Sequence, residues 1–282
     1  MDENFVVTLI NPFSRVKGRE KENSVIYLPP LIPPEGSEAQ WSAECDSYIF
    51  KATISADPIL SVNDCIVMII YDDLYKLAFI RLGDTTWSYT NVRTHFEEAV
   101  HVENNICVVD YWSKLHSIDV TSQCHEDGVK LVAHGVKRPD DDYVKSYLVE
   151  SSKERGLLMV RRYYYHDEDN NNKRVTTKFK VYELDFNEHR WVQKRTLGNV
   201  ALFLGDNSSI SVSASNFTGC LSNCIYFNHD ADDVGFEYEF FHDFGVYDVK
   251  RKSFIPVENT DAATLVKKSK QPSIWVLPTF QL

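Results

Sequence analysis

The chain contains little of what marks fibrous, membrane or disulfide-rich proteins. Its 282 residues include only 11 glycines and 10 prolines, which excludes collagen-like and low-complexity classes. No apolar run approaches the roughly 20 residues that a membrane-spanning helix requires, and the first residues do not resemble a signal peptide. The six cysteines are scattered, and Cys65 and Cys107 lie in apolar runs that are typical of buried reduced thiols. We therefore expect a cytosolic or nuclear protein without a disulfide framework.

Positive charge is also scarce, because the formal net charge at pH 7 is -11. An acidic surface repels phosphate backbones and anionic lipids, so we expect neither nucleic acid nor membrane as a partner. The two short basic clusters are expected to be solvated turns and tails, with a nuclear-import or docking patch as the alternative. They are Lys250, Arg251 and Lys252, and Lys267, Lys268 and Lys270.

Aromatic residues are abundant at 13% of the chain, and aromatic side chains favour strands. Paired strands recur in which a polar turn is followed by a Trp or Phe that begins the return strand. Such hairpins are predicted over 77–92, 178–197 and 243–258, more loosely over 7–31, and as a first half only over 114–121.

Another pair of strands precedes most of these hairpins, which gives a four-stranded unit recurring about every 40 to 65 residues. We predict an all-β, β-propeller-like array of four-stranded sheets with about five to six blades and an incomplete first blade. A β-sandwich is the alternative. The whole chain, 1–282, is expected to be a single domain, with a linker around Pro29, Pro30, Pro33, Pro34 and Gly36.

The segment from Leu197 to Phe227 contains two apolar strands, Val200 to Leu204 and Cys224 to Phe227. Between them Ile210, Val212 and Ala214 alternate with small polar residues, as in a half-buried strand. The intervening serines lack the G-x-S-x-G turn of a nucleophile and are expected to be structural. They are Ser208, Ser209, Ser211, Ser213 and Ser215.

No other group in the sequence has the spacing of a catalytic or metal site. Cys220 and Cys224, near His229, lack the tight pairing that zinc prefers. His125, Glu126 and Asp127 lack the second histidine of a metalloprotease helix. The acidic loops Asp140 to Asp142 and Asp230 to Asp233 do not follow EF-hand spacing and are expected to be solvated turns. We expect no catalytic residue, no metal and no cofactor.

The densest basic and aromatic run comprises Arg161, Arg162, Tyr163, Tyr164, Tyr165 and His166. Aromatic residues and arginine are enriched at protein-binding hot spots, so an interface is one interpretation. Alternation along a strand would instead place half of these side chains in the core. The sequence alone does not identify the protein-binding residues.

Several segments resemble, in order, those of a plant family, the F-box-associated domain of unknown function. INPFSR at 10–15, IYLPPL at 26–31 and KLAFIRLGDTTWSY at 76–89 resemble its opening segments. The stretch 180–215 is similar to its most recognisable part, and SIWVLPTF at 273–280 resembles its C-terminal strand. The resemblance implies a β-propeller that usually follows an F-box.

In that family the F-box binds Skp1 in a cullin-based ubiquitin ligase, and the propeller acts as the substrate receptor. This sequence begins directly in a first-blade strand, so we expect that the F-box is absent and that Skp1 is not bound. The resemblance then implies a non-enzymatic module that binds an unknown target protein. The alternatives are a propeller-type enzyme or sugar-binding module, and a degraded copy without activity. We also expect Ser273 to Phe280 to help cover an open sheet edge near Phe5 to Ile10.

Overall fold

The computed structural model describes most of the chain, and the described residues include nineteen strands and two short 3₁₀ segments. The described residues are 6–10, 25–32, 49–58, 64–71, 75–90, 92, 94–102, 105–119, 129–139, 143–151, 156–170, 173–206, 208–228, 230, 243–256 and 275. Within them, no helix is long and apolar enough to cross a membrane. The predicted all-β class is confirmed.

The backbone divides into two compact units. The first comprises Met1–Cys107 and Ser117–Lys130, and the second comprises Val108–His116 and Leu131–Leu282. Our expectation of a single domain over 1–282 stays a prediction.

Two sheets lie in the first unit. The smaller pairs β1 (Val6–Ile10) with β2 (Val25–Pro30), and the larger has four strands in chain order: β3 (Ile49–Ile54), β4 (Ile66–Tyr71), β5 (Lys76–Arg81) and β6 (Ser88–Tyr89). All six residues of β4 are buried, which explains the continuous apolar run IVMIIY. Trp87 anchors the predicted hairpin by donating from its indole N–H to the carbonyl of Pro29, 2.8 Å away.

One sequence expectation in this unit is wrong. Pro29 and Pro30 end strand β2 and do not lie in a linker; Pro30 pairs with Val6. Proline cannot donate to a ladder but its carbonyl still accepts, so the end of a strand tolerates it. The other residues of the expected linker, Pro33, Pro34 and Gly36, lie outside the described residues.

A third sheet has its strands in the order β10-β9-β8-β7. They are β7 (Phe96–Val102), β8 (Asn105–Asp110), β9 (Leu115–Asp119) and β10 (Val129–Ala133). The segment around Phe96 is a strand whose residues include the buried Phe96, Glu98 and Ala99. The sequence predicted only the first strand of the hairpin at 114–121. The second strand, β10, was not predicted because its apolar and polar residues alternate only weakly.

The second unit contains the longest strands. A four-stranded antiparallel sheet follows chain order: β11 (Tyr143–Glu150), β12 (Leu157–Asp167), β13 (Lys173–Asp185) and β14 (Arg190–Lys194). A 3₁₀ segment, Glu168–Asn170, follows β12 at the polar tip of the hairpin that β12 forms with β13. The first seven residues of β12 are all buried, because the strand lies inside the sheet and both of its faces are covered.

The last sheet has five strands in the order β16-β15-β17-β18-β19, with a second 3₁₀ segment at Ala214–Asn216. Its strands are β15 (Val200–Leu204), β16 (Ile210–Ser213), β17 (Cys224–Phe227), β18 (Gly245–Asp248) and β19 (Ser253–Ile255). The parallel pairing of β15 with β17 was not foreseen. A shared core joins this sheet to β11, β12 and β13 through residues such as Tyr147, Val160, Phe179, Leu202 and Ile225.

The described residues thus provide four sheets of at least four strands and the two-stranded first sheet. This agrees with the predicted four-stranded units, but the described residues show four blades, fewer than the expected five to six.

Candidate functional site

A tight turn after β8 presents two aromatic side chains to solvent. The Asp110 carboxylate accepts hydrogen bonds from the backbone N–H groups of Trp112 and Lys114, both at 2.9 Å. The Ser113 N–H donates to the Asp110 carbonyl at 2.7 Å, and Ser113 adopts a left-handed φ of 60°. Such a turn fixes its tip without a hydrophobic core, and leaves Tyr111 45% and Trp112 59% exposed.

The second carboxylate oxygen of Asp110 lies 3.1 Å from Nε2 of His116. Burial on its own would raise the pKa of Asp110. The contact with His116 and the two backbone donors outweigh burial, so that the pKa of this carboxyl is lowered. The charged form that holds the turn is therefore the stable one.

A buried arginine holds this turn from behind. The guanidinium of Arg161, fully enclosed, donates to Oγ of Ser113 at 2.5 and 3.2 Å, to the carbonyl of Lys137 at 2.9 Å, and to the carbonyl of Val136. The indole N–H of Trp191 donates to the carbonyl of Ser113 at 3.0 Å. These bonds join the turn, the segment that follows β10, and strands β12 and β14.

Gly135 allows the two segments to approach closely. A Cβ atom at this position would lie 2.0 Å from the carbonyl oxygen of Trp112, a distance that no side chain tolerates. The turn carrying Trp112 therefore packs directly on a glycine backbone, and its position is fixed by contact as well as by hydrogen bonds.

Arg138 extends the surface towards β11. Its guanidinium lies 3.9 Å from the centroid of the Tyr111 ring and donates to the Tyr111 carbonyl at 2.8 Å. Its other amino group donates to the carbonyl of Val144. The adjacent residue Tyr143 is 60% exposed. Arg138 therefore links the turn to the first residues of β11.

Three aromatic rings contact one another at that end of the sheet. Tyr143 and Tyr164 pair across β11 and β12, with ring centroids 5.6 Å apart, and His166 meets both edge-on at 5.3 and 5.7 Å. We call the set the aromatic strip; its members are Tyr111, Trp112, Arg138, Tyr143, Tyr164 and His166. Tyrosine, tryptophan and arginine dominate binding energy at protein interfaces, and rings with few rotatable bonds lose little entropy when they bind.

A buried ionic network surrounds Arg162, on the face of β12 opposite Arg161. Arg162 donates to the carboxylates of Asp230 and Asp243, each at 2.8 Å, and the Thr176 hydroxyl donates to Asp243 at 2.7 Å. Arg174 lies 3.6 Å from Asp230, and its guanidinium also lies 5.1 Å from the ring centroid of Tyr164. The network thus connects the two sheets of the second unit and supports one ring of the strip.

Charge pairing controls the protonation of this network. Burial alone would raise the pKa of Asp230, but the neighbouring cations Lys145, Arg162 and Arg174 outweigh it and hold that pKa below its usual value. Burial and the nearby Asp230 charge raise the pKa of Tyr147, whose hydroxyl donates to the same carboxylate. The network therefore remains ionised at neutral pH, which favours a structural role.

The sequence run 161–166 is divided by the structure. Arg161, Arg162 and Tyr163 are buried, so they are not interface residues, and simple alternation does not describe them. The reason is that both faces of β12 are covered, with each arginine serving a different network. Tyr164 and His166 are half-buried members of the strip, and Tyr165 is 46% exposed. Only the aromatic half of the run is therefore available to a partner.

Other sequence candidates occupy structural positions. Cys224 is buried in β17, and Cys220 is half-buried. Val212 and Ala214 pack into the last sheet as predicted, while Ser213 and Ser215 accept hydrogen bonds from the Asn199 amide. Lys250, Arg251 and Lys252 form the exposed turn between β18 and β19. In the described part of the chain, no three His, Cys, Asp or Glu residues cluster as metal ligands would.

The expectation of a solvated turn is wrong for Asp230, the acidic loop residue that the structure describes. It is fully buried in the ionic network and is not a solvated turn residue, because two arginines 56 and 68 positions away compensate its charge. Several other candidates fall outside the described residues: Ser273 to Phe280 apart from Trp275, Lys267, Lys268, Lys270, His125, Glu126, Asp127, Asp140 to Asp142, Asp232, Asp233 and His229.

Tyr111, Trp112, Arg138 and Tyr143 were missed as site residues. From the sequence, the segment DYW at 110–112 is only the end of a strand. Nothing in the sequence indicates that Arg138 covers Tyr111. An Asp followed by two aromatics at a strand end was the available signal.

Comparison with known proteins gives a consistent result. The sequence model of the KIB1-4 β-propeller matches residues 1–248. The F-box protein SKIP23 of Arabidopsis thaliana is 28% identical over 194 residues, covering 62% of this chain and 45% of that protein. Arabidopsis thaliana At5g60060, provisionally named as an F-box protein, is 28% identical over 199 residues, covering 69% and 48%. The chain spans about half the length of these relatives.

Proposed function

Because the chain belongs to the KIB1-4 β-propeller family, we propose that it is a protein-binding module whose aromatic strip contacts a target protein. The resemblance to F-box-associated propellers is confirmed by this membership, and the four-stranded sheets are propeller blades. Binding without chemistry is the activity that this proposal assigns to the chain.

The observation that carries the proposal is that the strip is both exposed and rigid. Trp112 and Tyr143 expose 59% and 60% of their surface, although a large apolar side chain is more stable when buried. The turn of Trp112 is nevertheless fixed by Asp110, Arg161 and Gly135. A rigid exposed ring binds a partner with little loss of conformational entropy.

The relatives' names support a more specific role. Since they are named as F-box proteins, we propose that the strip recognises the target of a ubiquitin ligase, in the cytosol or nucleus. Our expectation that this chain does not bind Skp1 stays a prediction, and a pull-down with purified Skp1 tests it.

Affinity capture from plant tissue, quantified by mass spectrometry, tests the proposed function. The wild-type chain is compared with a Trp112→Ala, Tyr143→Ala double variant. We expect the double variant to lose at least about tenfold of a specifically captured protein, because hot-spot aromatics each contribute about 2 kcal/mol or more.

The matched control is Tyr27→Ala with Ile32→Ala, since these side chains are 74% and 66% exposed and lie outside the strip. The control variant should capture the same protein in the same amount as the wild-type chain does. Equal loss in both double variants, or no loss in either, would contradict a binding role for the strip.

A further inference from the structure

The Tyr143 end of the aromatic strip has a charge that restricts its partner. Resting on the proposed function, we infer that this end binds a basic segment of the target protein, one that carries arginine or lysine side chains. The inference depends on the carboxylates of the hairpin tip that follows Tyr164 and His166, and on how the rings already interact with cations.

An acidic hairpin tip directly follows the strip residues Tyr164 and His166 in the chain. Strand β12 ends in Tyr164, Tyr165, His166 and Asp167, and Glu168 and Asp169 follow in the 3₁₀ segment, both exposed. This arrangement favours an approaching cation.

The basic side chains of the same hairpin neutralise only part of this charge. Lys173 pairs with Asp167 across the hairpin in the strand register. Arg174 is buried, and its charge is matched by Asp230 and Asp243. The exposed part of the tip is therefore net acidic, as is the whole chain at -11.

The rings of the strip already interact with guanidinium groups. Arg138 lies over Tyr111 at 3.9 Å, and Arg174 lies over Tyr164 at 5.1 Å. An aromatic face attracts a cation through its quadrupole, most strongly where water is partly excluded. Tyr143 stacks on Tyr164 and is itself 60% exposed, so it can receive a cation from the partner in the same way.

A neutral proline-rich segment could also pack on the rings but would gain nothing from the carboxylates. An acidic segment would be repelled by them. Charge complementarity therefore favours the basic partner, and it should increase the association rate as well as the affinity.

Selection from a random twelve-residue peptide library displayed on phage tests the inference, with the purified 282-residue chain as bait. We expect the enriched peptides to contain arginine and lysine next to apolar residues. A synthetic enriched peptide should bind the wild-type chain in fluorescence anisotropy, and its affinity should fall as salt rises from about 50 to 500 mM.

The decisive variant carries three substitutions, Asp167→Asn, Glu168→Gln and Asp169→Asn. It should bind that peptide with about tenfold lower affinity than the wild-type chain does. The control is Asp64→Asn, Asp84→Asn, Glu188→Gln, which removes the same charge at exposed positions elsewhere and should leave affinity within about twofold. Equal weakening by both variants would show nonspecific attraction and overturn the inference.

The two proposals fail in different ways. Enriched peptides that are neutral or acidic, but lose binding in Trp112→Ala with Tyr143→Ala, would overturn the basic partner and leave the strip as a binding surface. Peptides that bind the double variant as well as the wild type, or a library that yields no enrichment, would count against the strip itself.

Discussion

Replacing Arg161 by methionine is expected to destabilise the second unit and to loosen the turn that carries Trp112. Methionine keeps much of the apolar volume but leaves three acceptors without their donor: the buried Ser113 Oγ and the partly buried carbonyls of Val136 and Lys137. An unsatisfied buried acceptor costs about 1–3 kcal/mol, so after partial relaxation we expect a loss of about 3 kcal/mol. That is a large share of the roughly 5–15 kcal/mol by which domains are typically stable.

Urea denaturation measures the free energy of unfolding, and hydrogen exchange read by mass spectrometry measures opening of the segment 110–114. The control is Arg195→Met, at an exposed arginine that follows β14, which should change stability by less than about 0.5 kcal/mol. Arg161→Lys should recover only part of the loss, because an ammonium group cannot replace the planar fork of donors. A cost below about 1 kcal/mol in Arg161→Met with unchanged exchange at 110–114 would refute the reasoning.

Three further predictions concern stability. The pKa of Asp230 is lowered on folding, so the stability that its charge contributes is present above the ordinary value of 3.8 and is lost as pH falls below that value. Asp230→Asn should therefore flatten the loss of stability measured by acid titration. An acid transition that is unchanged in this variant would contradict the prediction. Gly135→Ala should cost about 1–3 kcal/mol in urea by clashing with Trp112, whereas Gly156→Ala, where a Cβ has ordinary contacts, should cost less. Trp275→Ala should cost about 2 kcal/mol of stability, since the Trp275 ring packs on Phe203 and its indole N–H donates to the Leu204 carbonyl at 2.7 Å. The control is Phe186→Ala, at an exposed ring, and an equally small cost in both variants would contradict this packing.

The parts of the fold that the sequence predicted are those governed by local pattern. The run IVMIIY and the hairpin ending in Trp87 are readable because a strand of six apolar residues and a polar turn each leave a local signature. The alternation around Val212 predicted strand β16 in the same way. What these segments have in common is that neighbours in sequence determine them.

The contacts that build the candidate site are not local. Arg162 pairs with carboxylates 68 and 81 positions away, so its burial could not be read from the strand around it. The parallel pairing of β15 with β17 and the packing of Gly135 on Trp112 depend likewise on how distant segments meet. The sequence therefore predicted that 161–166 was unusual, but it could not decide which of these side chains face a partner and which lie in the core.

The central claim is that a protein partner contacts the aromatic strip, and site-specific photo-crosslinking measures this directly. A photoreactive phenylalanine analogue is placed at Lys114 or Tyr165, exposed residues adjacent to the strip, or at Tyr27 as a control. Irradiation of the chain in complex with a protein captured from tissue should give covalent adducts from the first two positions and none from Tyr27. Adducts at Tyr27 without any at Lys114 or Tyr165 would place the partner elsewhere and contradict the account.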